Sequence, residues 1–195
     1  MTVVTLALSS VVWAGPPVTR DQPPDPVALL SDSDRQRARA GDVVVYQGLD
    51  SVRSLKAVIF VMAQPEAVMS AIKDLPPRVE EIDSLVGVET YRSGPHIAAK
   101  WTVDATVKKV DFYVIYECFE AEAWCSFALD PTKASDIPLA DGAYVIRAHE
   151  EGVWLEYHSE TEPPALIPPA LREQRRQQSA EQMLSGIKAR AEVVD

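Results

Sequence analysis

The residues from which this chain could build a reactive or binding site are few: two cysteines, three histidines and one polar cluster near the C-terminus. Cys118 and Cys125 flank the polar tip Glu120-Ala121-Glu122-Ala123. If the chain folds back about Ala121-Glu122, they stand directly opposite on antiparallel strands, where Cα separations of about 4.5 to 5.5 Å lie within disulfide reach. The alternative is a pair of buried thiols acting as small apolar side chains, and a one-residue slip would send them to opposite faces. His96, His149 and His158 have no Cys, Asp or Glu at a spacing that metal sites use. His149 falls in an expected turn, and His158 alternates with Trp154 and Glu156 on an outward face, so all three read as solvated surface groups. There is no GxSxG elbow, no P-loop and no dinucleotide fingerprint, and a Cys nucleophile would need a positioned base that no spacing supplies. No catalytic residue, metal or cofactor is assigned, and the chain reads as a binder before it reads as an enzyme.

What remains is apolar chemistry arranged on faces. Trp101, Val103, Ala105 and Val107 alternate with Lys100, Thr102, Asp104 and Thr106, the pattern of an antiparallel strand with one face in water. Phe112, Val114, Tyr116 and Cys118 share a face, as do Cys125, Phe127 and Leu129. Folding about Ala121-Glu122 pairs 118 with 125, 116 with 127 and 114 with 129. The tip His149-Glu150-Glu151-Gly152 likewise pairs Ala148 with Val153, Ile146 with Leu155 and Tyr144 with Tyr157. Near the C-terminus Ala180, Leu184, Ile187 and Ala191 fall on one side of a helix with Met183 beside them, while Glu181, Gln182, Ser185, Lys188 and Glu192 fall opposite. Extending that stripe backward meets Gln177, Arg176 and Glu173. Either this half of the helix overhangs into water or these groups rim a cavity mouth and meet a ligand's polar end, with Arg176 the candidate contact.

The elements that must position these faces follow from the surrounding pattern. Val43 to Tyr46 and Leu55 to Met62 are strand-like runs, and Pro65 to Leu75 carries Val68, Met69, Ile72 and Leu75 at helical spacing behind an early proline. Pro76-Pro77 ends that helix, and Val79 and Ile82 suggest one more short turn. Strands run from about Val86 to Thr161, and a helix follows Pro168-Pro169 to about Val193. Upstream, Ser31, Asp32 and Ser33 are possible caps and Gly41 a stop for a short helix ending at Ala40.

Composition sets the class. The chain has 195 residues, 47% hydrophobic and 25% charged, which suits one globular domain with enough interior for a core or a cavity. With 19 Lys and Arg against 29 Asp and Glu, the net charge is −10, which excludes a nucleic-acid or anionic-lipid surface. Val3 to Ala14 is a 12-residue uncharged stretch, too short to span a bilayer and of the length of a secretory signal's apolar region, although no Lys or Arg precedes it. Residues 15–26 hold five prolines and read as an extended tether. The expected layout is a signal peptide over 1–14, a proline-rich linker and short helix over 15–40, and a domain over 41–195. The protein is expected in the periplasm or secreted, as a monomer without stable membrane insertion.

The order of strand, two short helices, antiparallel meander and long C-terminal helix resembles the START-like helix-grip superfamily, which includes polyketide cyclases and lipid-transport proteins. Gly41-Asp42-Val43-Val44-Val45 is similar to its opening strand, Gln64-Pro65-Glu66-Ala67-Val68 to the turn into its first helix, and Gly142-Ala143-Tyr144-Val145-Ile146 to a late strand. Thr161-Glu162-Pro163-Pro164 through Ile167-Pro168-Pro169-Ala170-Leu171 is similar to its proline-bearing lead into the last helix. The resemblance covers residues 41 to 193 and departs from the family at the apolar start. It implies an α+β helix-grip fold, a curved sheet of about six to seven strands around the long helix, and an interior cavity for an apolar or amphipathic molecule such as a lipid, quinone or polyketide. The candidate wall is then Trp101, Val103, Phe112, Val114, Tyr116, Phe127, Tyr144, Ile146, Leu155 and Tyr157, roofed by Met183, Leu184 and Ile187. Three functions compete: an exported carrier, a cyclase or lyase using the same cavity, and an interaction module with a filled core. A cavity of about 300 to 1,000 Å³ separates the first two from the third, which has a filled core, and inward-facing titratable groups separate enzyme from carrier.

Overall fold

A computed structural model describes residues 27–46, 53–105, 108–162 and 169–193. The apolar segment 3–14, the proline-rich 15–26 and Val107 lie outside the described residues. The strands are β1 (Val44–Tyr46), β2 (Ser54–Val61), β3 (Leu85–Ser93), β4 (His96–Asp104), β5 (Lys109–Phe119), β6 (Trp124–Leu129), β7 (Leu139–His149) and β8 (Gly152–Glu162). They form one antiparallel sheet in the order β1-β2-β8-β7-β6-β5-β4-β3. Eight strands exceed the expected six to seven because both runs before the first long helix join the sheet, β2 lying along β8 from Ser54 opposite Glu160 to Val61 opposite Val153. The helices are α1 (Asp32–Arg39), α2 (Pro65–Lys73), α3 (Arg78–Glu81) and α4 (Pro169–Glu192). No helix among the described residues is long and apolar enough to cross a membrane.

Both hairpin registers follow from strand alternation and turn position. Val114 faces Leu129, Tyr116 faces Phe127 and Cys118 faces Cys125, and in the second hairpin Tyr144 faces Tyr157, Ile146 faces Leu155 and Ala148 faces Val153. Cys118 and Cys125 are joined in a disulfide, with Cα atoms 4.0 Å apart. Ala123 takes φ +56° in the tight turn that brings them together. In β7, Gly142 lies where a Cβ would come within 2.1 Å of the His158 carbonyl oxygen and 2.7 Å of the Phe127 ring, so only a bare Cα lets β7 lie against β8 there.

The β2 run SLKAVIFV is apolar almost throughout because both of its faces are covered. Ala57, Ile59 and Val61 face the main core, whereas Val58 and Phe60 join Val44, Trp154, Leu30 and Ala38 in a second cluster beneath α1. Ser31 caps α1 by accepting the Asp34 amide at 3.1 Å, Asp32 and Asp34 occupy its first turn, and Arg37 and Arg39 occupy its last, all matched to the helix dipole. Arg39 then lies over Phe60 and Trp154, 5.2 and 5.7 Å from their ring centres. This packing corrects the expectation that Trp154 and Glu156 lie on a solvated face. Trp154 is buried under α1, and Glu156 is fully buried, 2.6 Å from Arg147 and 3.5 Å from His158. His149, expected in open solvent, sits 2.7 Å from the Arg39 guanidinium with its ring edge on Phe60.

On the concave side α4 lays Ala180, Met183, Leu184, Ile187 and Ala191 against the sheet, and α2 fills one end with Val68, Met69 and Ile72. The bare Gly186 on α4 admits Glu81 of α3, which pairs with Arg190 one turn further on. The Arg190 guanidinium also donates to the Ala71 carbonyl at 2.8 Å, tying α2, α3 and α4 together.

Candidate functional site

The sheet curves around α4, and beyond the point where α2 fills the interior a space of about 240 Å³ is left, somewhat below the roughly 300 Å³ at which small-molecule pockets begin. Its wall is built by inward residues of β4 to β8: Trp101 and Val103, Val110, Phe112, Val114 and Tyr116, Phe127, Ala140 and Tyr144, and Tyr157 with Ser159. Ala180 and Met183 roof it from α4, and Ile82, Leu85 and Arg78 close one side. The rings form a near-continuous lining. Trp101 stacks near Phe112 at 6.4 Å, and Phe127 contacts Tyr116, Tyr144 and Tyr157 at 6.0, 5.7 and 5.8 Å between ring centres. Through Ser84, Arg175 and Ser179 the space meets a more polar recess of about 400 Å³ bordered by Asp83, Asp104, Gln178 and Gln182.

No family model matches the sequence, and no curated protein matches it. Solved structures do. The TTHA0849 protein of Thermus thermophilus is 22% identical with a TM-score of 0.62, covering 71% of this chain and 96% of its own. The Zhui aromatase/cyclase from a Streptomyces species is 12% identical with a TM-score of 0.61, covering 72% of this chain and 93% of its own. A STAR-related lipid transfer protein from Xanthomonas axonopodis is 16% identical with a TM-score of 0.60, covering 75% of this chain and 90% of its own. The chain has the START-like helix-grip fold. At these identities the likeness shows fold alone.

Within this helix grip, Trp101, Val103, Phe112, Val114, Tyr116, Phe127, Tyr144, Tyr157, Met183 and Arg176 all border the cavity. Ile146, Leu155, Leu184 and Ile187 share faces with them but lie in the solid part of the core, where α2 packs against α4 and β7. The first half of α4 does not stand clear of the sheet: Arg172, Arg175 and Arg176 are partly buried along the cavity edge. Arg176 pairs with Glu173 and donates to the Arg53 carbonyl, whereas Gln177 is exposed and bonds Glu181 at 3.2 Å.

The residue that sequence reasoning missed is Arg78, at the first position of α3. It is completely buried and borders the cavity. Its guanidinium donates to the Tyr144 hydroxyl and to the Ile72 carbonyl, each at 2.8 Å, and lies over the Tyr144 and Trp101 rings at 5.4 and 5.8 Å. Among the described residues no carboxylate pairs with it, and its Nε is buried without a partner. The only signal was the short turn suggested by Val79 and Ile82, and an arginine that opens such a turn reads as an edge residue. Tyr144 passes the interaction on, its hydroxyl donating to the Met183 sulfur at 2.9 Å. Burial, and then the neighbouring Tyr144, push the Tyr116 and Tyr157 phenols well above their ordinary range, so both stay protonated.

Proposed function

We propose that this protein is an exported carrier that holds an apolar or amphipathic small molecule, such as a lipid, quinone or polyketide-like compound, in the helix-grip cavity. The observation that carries the reading is the cavity wall itself, aromatic and aliphatic on five strands and roofed by Ala180 and Met183 of α4. An interaction module with a filled core would have no such space. Among the described residues bordering it the titratable side chains are Tyr116, Tyr144, Tyr157 and four arginines, with no His, Asp, Glu or Cys. The lipid-transfer and aromatase/cyclase neighbours carry the same fold and support a small-molecule role. The disulfide supports export, since such bonds persist in oxidising compartments.

The test is to purify the protein from its own host, record its native mass, then unfold it and identify what is released. A stoichiometric apolar or amphipathic compound, together with saturable uptake of Nile red by the emptied protein, is the expected result. Empty protein that takes up no Nile red would overturn the carrier reading.

A further inference from the structure

Resting on the reading of the cavity as a ligand site, we propose that the ligand is an amphipathic acid whose carboxylate is held at the inner end of the cavity by Arg78 and Tyr144. Its apolar body lies along the aromatic wall. The argument starts from a charge without a counter-charge. An arginine stays protonated at any pH at which this fold survives, and a guanidinium taken out of water is costly unless anions or full hydrogen bonding replace the solvent. Arg78 has neither. Its two bonds, to Tyr144 and Ile72, leave three of its five N–H donors without an acceptor, and Nε is among them.

The surrounding groups add no negative charge. Tyr116, Tyr144 and Tyr157 are the side chains that act on the guanidinium, and Glu81, on the same short helix, is already paired with Arg190. Arg190 is in turn disfavoured first by burial and then by Arg78, which places the two cations within reach of each other's field. The inner end therefore carries one net positive charge in an apolar setting, where a single negative charge is the complementary partner. Tyr144 shows where an oxygen would enter. Its hydroxyl accepts from Arg78 but donates to the Met183 thioether, a weak acceptor that a ligand oxygen would displace. One cation and one phenol donor match a planar, singly charged carboxylate, whereas a phosphate dianion would need a second unmatched cation and a primary amine would repel.

The test uses the full chain loaded with Nile red and displaced by decanoate, decanol or decylamine at neutral pH. These three probes share an alkyl chain and differ in the head group. Decanoate should displace the dye at a concentration about tenfold or more below that of decanol, the size of effect a charge-assisted hydrogen bond gives. Arg78→Met should bring that ratio to about one, and Tyr144→Phe should lower it by a few fold. Dye uptake with equal potency for decanoate and decanol would overturn the acid assignment while leaving the carrier reading standing; no dye uptake would overturn the carrier reading. Should Arg78→Met fail to fold, wild-type protein still answers the question through the carboxyl carbon of bound [1-13C]decanoate. Its titration should move to lower pH than in free decanoate, and an unmoved or raised titration overturns the assignment.

Discussion

Met183 and Leu184 are neighbours on α4, both buried, yet only Met183 borders the cavity, so truncating each in turn separates a packed site from one beside empty space. Leu184→Ala removes everything beyond Cβ from a side chain with no exposed surface. The lost transfer energy is roughly 2.4 kcal/mol, at about 0.8 kcal/mol for each methylene-sized group. A new void of roughly 80 Å³ adds about 2 kcal/mol at about 24 cal/mol per Å³ if the neighbours do not collapse. The expected loss is about 4 kcal/mol, a fall in Tm of roughly 8 to 16 °C for a chain of this size. Met183→Ala opens into space that already exists, so its neighbours lose contacts chiefly on the core side and the loss should be about 2 kcal/mol. It also removes the acceptor of the Tyr144 hydroxyl and enlarges the cavity, so Nile red affinity should change, while Leu184→Ala should leave it near the wild-type value. Urea unfolding followed by tryptophan fluorescence, with the disulfide intact, reads both stabilities. A Met183→Ala loss equal to or above that of Leu184→Ala would refute the reasoning, because it would mean that both residues sit in equally filled surroundings.

Three further outcomes are expected. Protein never exposed to reductant should show no titratable thiol after unfolding, and replacing both Cys118 and Cys125 by alanine should cost about 2 to 3 kcal/mol, as a loop of roughly eight residues implies. Gly142→Ala should prevent the native β7–β8 pairing, since its methyl group would meet the His158 carbonyl; a normally folded variant by near-ultraviolet circular dichroism would contradict the close approach described above. Burial pushes the Asp130 carboxyl up, but the Thr132 hydroxyl and amide, with the Tyr91 phenol, outweigh it and hold the group below its ordinary value. With the folded value depressed, its stabilisation is present above the unfolded value of about 3.9 and is lost as pH falls through the folded one. Thr132→Val should therefore flatten the stability profile below about pH 4, and an unchanged acid-unfolding curve would count against the assignment.

The elements joined by short turns were legible from residue order alone. Alternation from Phe112 to Leu129 and from Tyr144 to Tyr157, with a polar tip between, sets which residues stand opposite, because strand side chains have a period of two and a turn position determines the register. The same arithmetic placed Cys118 against Cys125, and helical spacing placed Ala180, Leu184 and Ile187 on the inner side of α4. The pairing of β2 with β8 joins residues about a hundred positions apart, for which no local pattern exists. Periodicity also names a face without saying what covers it. Trp154 and Glu156 lie on the convex side as expected, but only the docking of α1 and the Arg147 side chain take them out of water. It is equally silent on emptiness: Tyr144 and Ile146 share a strand face, and the tertiary packing of α2 fills the space next to one and leaves it open next to the other. Arg78 is the extreme case, because arginine's own hydration argues for the surface, and only the enclosure formed by α3, α4 and the curved sheet strips that hydration away and leaves a charge facing an apolar cavity.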